Sequence, residues 1–194
     1  MKTLFLALLL GEERGARLAA SVDGVLGPRA GRAFRRPRPA GLHLTLFYLG
    51  RIGADAARRV ARSVEPAVGE AGRPRLVIEG PGAFPARGRE RVLWLGVREE
   101  PAAAGRLAGL HGLVLDALEI AGVDTGSERG RPFRAHITVA RAVVRARAGA
   151  HVPEAFYSLA PRIAWEPDLL HLVESVPASG PPRYVSRAAF SLGA

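Results

Sequence analysis

Two stretches of the sequence, "GLHLTLFYLG" at residues 41–50 and "RPFRAHITVAR" at residues 131–141, each set a histidine two places before a threonine inside an apolar run. On a β-strand, residues two apart project from the same face. His43 and Thr45 therefore point together while Leu42, Leu44 and Leu46 point into a core, and His136 and Thr138 do the same against Ile137 and Val139. A single histidine on a strand face is more often a hydrogen-bonded structural group than a catalyst. The chain has only five His and four Thr, however, and two of those Thr follow a His in matching contexts. Random placement would do this on the order of one time in a few hundred. Two imidazoles suit in-line displacement at phosphorus, one taking a proton from the nucleophile and the other giving one to the leaving group. Hydroxyl and guanidinium groups then hold the phosphoryl oxygens as their charge grows. This chemistry asks for no metal and no cofactor.

The three remaining histidines, His111, His151 and His171, have no threonine partner and read as structural or surface residues. The arginines Arg29, Arg32, Arg35, Arg36 and Arg38 immediately precede His43. They form either a solvated basic loop or a contact to a phosphate backbone beside the first motif. Phe34, Phe47 and Phe84 could stack on a terminal base, although burial in the core suits each of them better.

The elements that must carry these residues follow from periodicity. Residues 3–10 form an apolar run too short to cross a bilayer and lacking a convincing small-residue cleavage site, which predicts a buried strand. Residues 12–25 have helical spacing, "GPRAGRAFRRPRPAG" reads as a basic loop, and residues 54–71 read as a helix kinked or ended by Pro66. Leu76 to Glu79 and Arg91 to Val97 read as strands joined by a Gly/Pro-rich connection. A helix is predicted from Ala102 to Ala121, terminated by Gly122, before a polar turn delivers the strand "FRAHITVAR". "DLLHLVES" and "RYVSRAAFSL" look like a terminal hairpin. The irregular alternation predicts an α+β fold with antiparallel sheet. A faint internal duplication, each half passing through a helix and a turn into a His-x-Thr strand, predicts two pseudo-symmetric lobes with helices outside and a central cleft. Residues 1–194 would then form one unit.

Composition narrows the partners. The chain has 194 residues, no cysteine, 48% hydrophobic and 24% charged residues. Disulfides and cysteine-based metal sites are therefore excluded. A net charge of +10, carried almost entirely by arginine, favours a polyanionic partner such as nucleic acid over plain basic solubility by no wide margin. Nothing resembles a transmembrane segment, so a cytoplasmic monomer without a membrane partner is the expectation.

In that framework, "GLHLTLFYLG" and "PFRAHITVAR" resemble the paired motifs of the two-histidine (2H) phosphoesterase superfamily, in its RNA 2′,3′-cyclic phosphodiesterase, or 2′-5′ RNA ligase-like, branch. The resemblance runs the length of the chain, through "TLFLALLL", "GAFPARGRERVLWLGV", "LHGLVLDAL" and "DLLHLVES…RYVSRAAFSL". It implies hydrolysis of RNA 2′,3′-cyclic phosphate ends to 2′-phosphomonoesters without metal. His43 would be the proton donor to the leaving 3′-oxygen and His136 the base that activates water. Thr45, Thr138 and Arg141 would hold the phosphate. The substrates would be RNA ends, tRNA fragments among them, or small cyclic nucleotides, with 2′-5′ ligation or RNA binding without turnover as alternatives. Strict alternation puts Arg141 on the face opposite His136, so its role requires a bulge, a strand end or a long reach. Two positions depart from the family pattern: Ala135, where a proline commonly precedes the second histidine, and "RPRPAG", which lacks the usual aromatic and Asn.

Overall fold

A computed structural model describes residues 1–85, 90–143 and 152–193, with the side chains of residues 28–32 left aside. The opening apolar run is strand β1 (Lys2–Leu9). It is apolar throughout because both of its faces are covered. Leu4, Leu6 and Leu8 enter the main core, while Phe5 and Ala7 join Val173 in a second small cluster on the other face.

The α+β expectation holds. The strands form one antiparallel sheet that curls into a half-barrel, in the order β7-β4-β5-β6-β3-β1-β8-β9, with β2 pairing β6. Their bounds are β2 Phe34–Arg35, β3 His43–Ile52, β4 Leu76–Phe84, β5 Val92–Glu99, β6 His136–Ala142, β7 Ile163–Trp165, β8 Leu169–Val176 and β9 Arg183–Ser191. One half uses β3, β1, β8 and β9 from the two ends of the chain, and the other uses β4 to β7 from its middle. The halves meet where β3 pairs β6 through Leu44 and Ile137. Both of those side chains are fully buried.

Helices cover the convex side. They are α1 (Glu12–Ala33), α2 (Ala54–Gly69), α3 (Arg106–Ile120) and the single turns α4 (Gly126–Arg129) and α5 (Glu154–Tyr157). Leu18, Val22 and Leu26 of α1, and Val60, Val64 and Val68 of α2, recur at four-residue steps and are buried. The halves interlock, for α1 touches β6 of the other half and α3 touches β3.

Several boundaries differ from expectation. Residues 27–33, read as basic loop, continue α1 past a kink at Gly27, whose φ of 61° glycine adopts readily. Pro28 then restarts the helix, since its fixed φ suits a first helical position. Pro66 does not end α2, which runs on to Gly69. So near the C-terminus, the missing N–H costs the helix one bond of its last turn. The first part of the Gly/Pro-rich connection is strand: β4 runs to Phe84 with its register shifted between Glu79 and Pro81. Pro81 is accommodated because β7 pairs only with Leu76 to Ile78 and leaves that edge open. Helix α3 begins at Arg106, not Ala102, where the Glu99 carboxylate accepts the N–H groups of Gly105 (3.0 Å) and Leu107 (2.6 Å). Among the described residues, no helix is long and apolar enough to cross a membrane.

Candidate active site

The register places the motif residues on one face. On β1, Leu9, Ala7 and Phe5 alternate to a single face, and they oppose His43, Thr45 and Tyr48 of β3. On β5, Gly96, Trp94 and Val92 likewise oppose His136, Thr138 and Arg141 of β6. Directly opposed residues in an antiparallel pair point the same way. All six side chains therefore line the concave face, with Leu44 and Ile137 behind them in the core.

The fifth residue after each histidine reaches that face only because each strand carries a bulge. Register shifts fall between Leu6 and Ala7 opposite β3 and between Leu93 and Trp94 opposite β6. The extra residue leaves two consecutive side chains buried, Leu46 and Phe47 in one strand and Val139 and Ala140 in the other. Alternation then resumes in the opposite phase. The obstacle to Arg141 is thereby removed by the first of the three routes the sequence allowed. Extending the Leu44–Ile137 pair by one residue each way sets His43 across from Thr138 and Thr45 across from His136. The two His-Thr pairs are brought together, with the histidines on a diagonal.

Each imidazole is held in the same tautomer. His43 Nδ1 lies 2.7 Å from the carbonyl of Gly41, and His136 Nδ1 lies 2.7 Å from that of Arg134. A carbonyl only accepts, so Nδ1 carries hydrogen in both rings and Nε2 is left for chemistry.

Their surroundings differ. His43 stacks on Phe5 at 4.7 Å and meets the edge of Tyr184 at 4.8 Å. Tyr184 belongs to β9, three strands from β3, a span of roughly 14 Å in a flat sheet. The contact is made across the curl. Burial between these rings pushes the His43 pKa down to about 4. The Gly41 carbonyl opposes that shift, and the positive charges of Arg141 and His136 add to it. His136 instead meets Phe84 edge-on at 5.5 Å and Trp94 at 5.8 Å. The Trp94 ring lies flat over Gly82, where a Cβ would stand 2.1 Å from the indole.

Tyr48, Phe5, Tyr184 and Trp94 were not singled out from the sequence. Tyr48 could have been, since it follows His43 by the spacing at which Arg141 follows His136. It is 63% exposed, an unusual state for a large aromatic residue on a strand. Among the other histidines, His111 is buried and stacked on Phe133 at 4.2 Å, a structural position. His171 opposes Ala7 and so also stands on the concave face, its Nδ1 2.9 Å from Ser186 Oγ. His151 lies outside the described residues. Phe34 and Phe47 are core residues, while Phe84 walls His136. Among the described residues, no three His, Asp or Glu are grouped as metal ligands would be.

The chain has counterparts among known proteins of similar sequence and shape. The sequence profile of the 2′-5′ RNA ligase superfamily matches residues 19–177. The chain belongs to the 2′-5′ RNA ligase superfamily. This superfamily member is similar to the RNA 2′,3′-cyclic phosphodiesterase of Archaeoglobus fulgidus, 32% identical over 129 residues, which are 66% of this chain and 64% of that protein. The aligned part thus spans somewhat less than two thirds of the relative's length. The protein TT0787 of Thermus thermophilus superposes with a TM-score of 0.73 at 28% identity, covering 98% of this chain and 97% of the other. LigT of E. coli, crystallised with NADP+, has the same fold, with a TM-score of 0.73 at 24% identity over 100% of this chain and 98% of its own.

Proposed function

We propose that this superfamily member hydrolyses RNA 2′,3′-cyclic phosphodiester ends to 2′-phosphomonoesters by paired histidine acid–base catalysis without a metal. The observation that carries the reading is the pair of Nε2 atoms left free on one concave face, each beside a threonine, with Arg141 turned onto the same face by a bulge. The name of the Archaeoglobus relative supports the choice of substrate. In the reaction, water attacks phosphorus opposite the 3′-oxygen while His136 Nε2 takes its proton. The P–O3′ bond breaks as His43 gives the Nε2 proton to the leaving oxygen. The 2′-phosphate remains, and proton exchange with solvent resets both rings. Thr45, Thr138 and Arg141 hold the non-bridging oxygens. Both motifs come from one chain, so a single protomer suffices.

This donor role asks His43 to be protonated in the substrate complex, although burial favours its neutral form in the free protein. The phosphodiester anion supplies the compensation. Its charge offsets that of Arg141, whose repulsion adds to the effect of burial in lowering the His43 pKa. The superfamily's name favours one second reading, in which a 5′-hydroxyl replaces water as nucleophile and a 2′-5′ linkage forms. The same residues would serve, and product analysis separates the two.

The decisive experiment incubates EDTA-treated protein with an oligoribonucleotide ending in 2′,3′-cyclic phosphate, beside His43→Ala and His136→Ala variants. Opening to a 2′-phosphate by the wild type and by neither variant is the expected result. Full activity in either variant, or strict metal dependence, would overturn the proposal.

A further inference from the structure

Among the described side chains of the basic run before the first motif, Arg35 stands beside the second motif strand. Strand β2 pairs β6 with Phe34 opposite Ala142 and Arg35 opposite Arg141. Phe34 is 1% exposed and points into the core, so Arg35 points the other way, to the face that carries Arg141. The same face follows from the other side of β6, where Arg141 opposes Val92, two residues before Trp94. Arg36 is turned aside and paired with Asp23. Neither Arg35 nor Arg141 has an ion-pair partner among the described residues. Two like charges directly opposed on adjacent strands are destabilising, and Cβ atoms so placed are only about 5 Å apart. At the far end of β5, Arg98 shows the contrasting solution, a cation matched to Glu79 at 2.6 Å on β4. Among the described residues, no carboxylate is matched to Arg35 or Arg141 in this way.

We propose that Arg35 binds the RNA phosphodiester immediately upstream of the reacting cyclic phosphate, and thereby selects RNA strands over cyclic mononucleotides. The inference rests on the hydrolytic reading for its reacting phosphate. If Arg141 serves that phosphate, the guanidinium one strand further along the same face meets the next one of the chain. A cyclic mononucleotide has no such phosphate. Arg35 is a binding residue in this scheme and takes no part in proton transfer.

The test compares a 2′,3′-cyclic mononucleotide with a trinucleotide carrying the same end, using wild type, Arg35→Ala, Arg35→Lys and the surface control Arg58→Ala. Arg35→Ala should raise KM for the trinucleotide roughly tenfold, as loss of a charge-assisted contact does, and leave the mononucleotide unchanged. Arg35→Lys should restore part of the loss, and Arg58→Ala should change neither substrate. The dependence of log Kd on log salt for a trinucleotide 3′-phosphate, measured by fluorescence anisotropy, should fall by about one phosphate contact in Arg35→Ala. An equal loss on both substrates, or none on either, would overturn the proposal. If the wild type opens neither substrate, the hydrolytic reading fails. The anisotropy measurement still decides Arg35, because an unchanged salt dependence would sink the contact by itself.

Discussion

The two motif strands, β3 and β6, share a backbone plan: a histidine tied by Nδ1 to the carbonyl two residues back, a threonine beside it, and a bulge that turns the fifth residue onto the concave face. They differ in what that plan presents. In β3 the fifth residue is an exposed phenol, Tyr48, and the imidazole is closed in by Phe5 and Tyr184. In β6 the fifth residue is Arg141, and the imidazole is walled by Phe84 and Trp94. Pseudo-symmetry of the backbone thus sets equal reach for the two imidazoles. Unequal side chains enclose His43 between aromatic rings, and that burial lowers its pKa to about 4.

The most severe way to break the comparison is to remove either imidazole. His43→Ala and His136→Ala should each lower kcat by about 10²–10⁴-fold, read as rates of cyclic-phosphate opening, with the fold retained by circular dichroism. Unequal losses, with one variant near wild type, would mean that only one half performs chemistry. Next come the residues at the fifth position. Arg141→Ala should cost about 10²-fold in kcat/KM, through lost stabilisation of transition-state charge. Tyr48→Ala should cost less than about tenfold, since it removes no charge. Comparable losses would show that the bulge position, and not the guanidinium, matters.

A smaller effect concerns the walls. Tyr184→Ala opens His43 to water, so its pKa should climb from about 4 toward the ordinary 6.5. The sign is fixed by the cause: burial disfavours the charged imidazolium, and relieving burial restores it. Nitrogen chemical shifts of His43 recorded from pH 3 to 8 would show the change. In the intact protein, the neutral Nδ1–H tautomer should persist well below pH 6.5 and shift toward the protonated form when inorganic phosphate binds. A His43 that titrates near 6.5 in both proteins would overturn this account of its burial. Least of all, Gly82→Ala drives a Cβ into the Trp94 indole, which should cost about 1–3 kcal/mol in urea unfolding and disturb His136 without moving the His43 titration.

Much of this was legible in the chain. The two-residue alternation in "HLTL" and "HITV" is a property of any strand, so it could be read without knowing what either strand pairs with. The same holds for the helical spacing that predicted helices where α2 and α3 lie. Misread segments were those whose conformation depends on neighbours. The run from Gly27 to Ala33 has loop composition yet is helical after its kink, and Arg106 opens α3 because Glu99, from the preceding strand, caps it. The bulges were anticipated only as a need at Arg141, and Tyr48 passed unnoticed beside an equal need.

By itself the sequence determined the chemical inventory: two imidazoles and two hydroxyls on strand faces, an arginine surplus, no thiol, and an α+β chain of duplicated outline. Tertiary structure decided which groups meet. Register between strands set Arg35 beside Arg141, bulges turned Arg141 and Tyr48 inward, and the curl of the sheet carried Tyr184 across to His43. Side-chain alternation is dictated by local covalent geometry, whereas register, bulge and curl arise from pairing and packing between segments far apart in the chain.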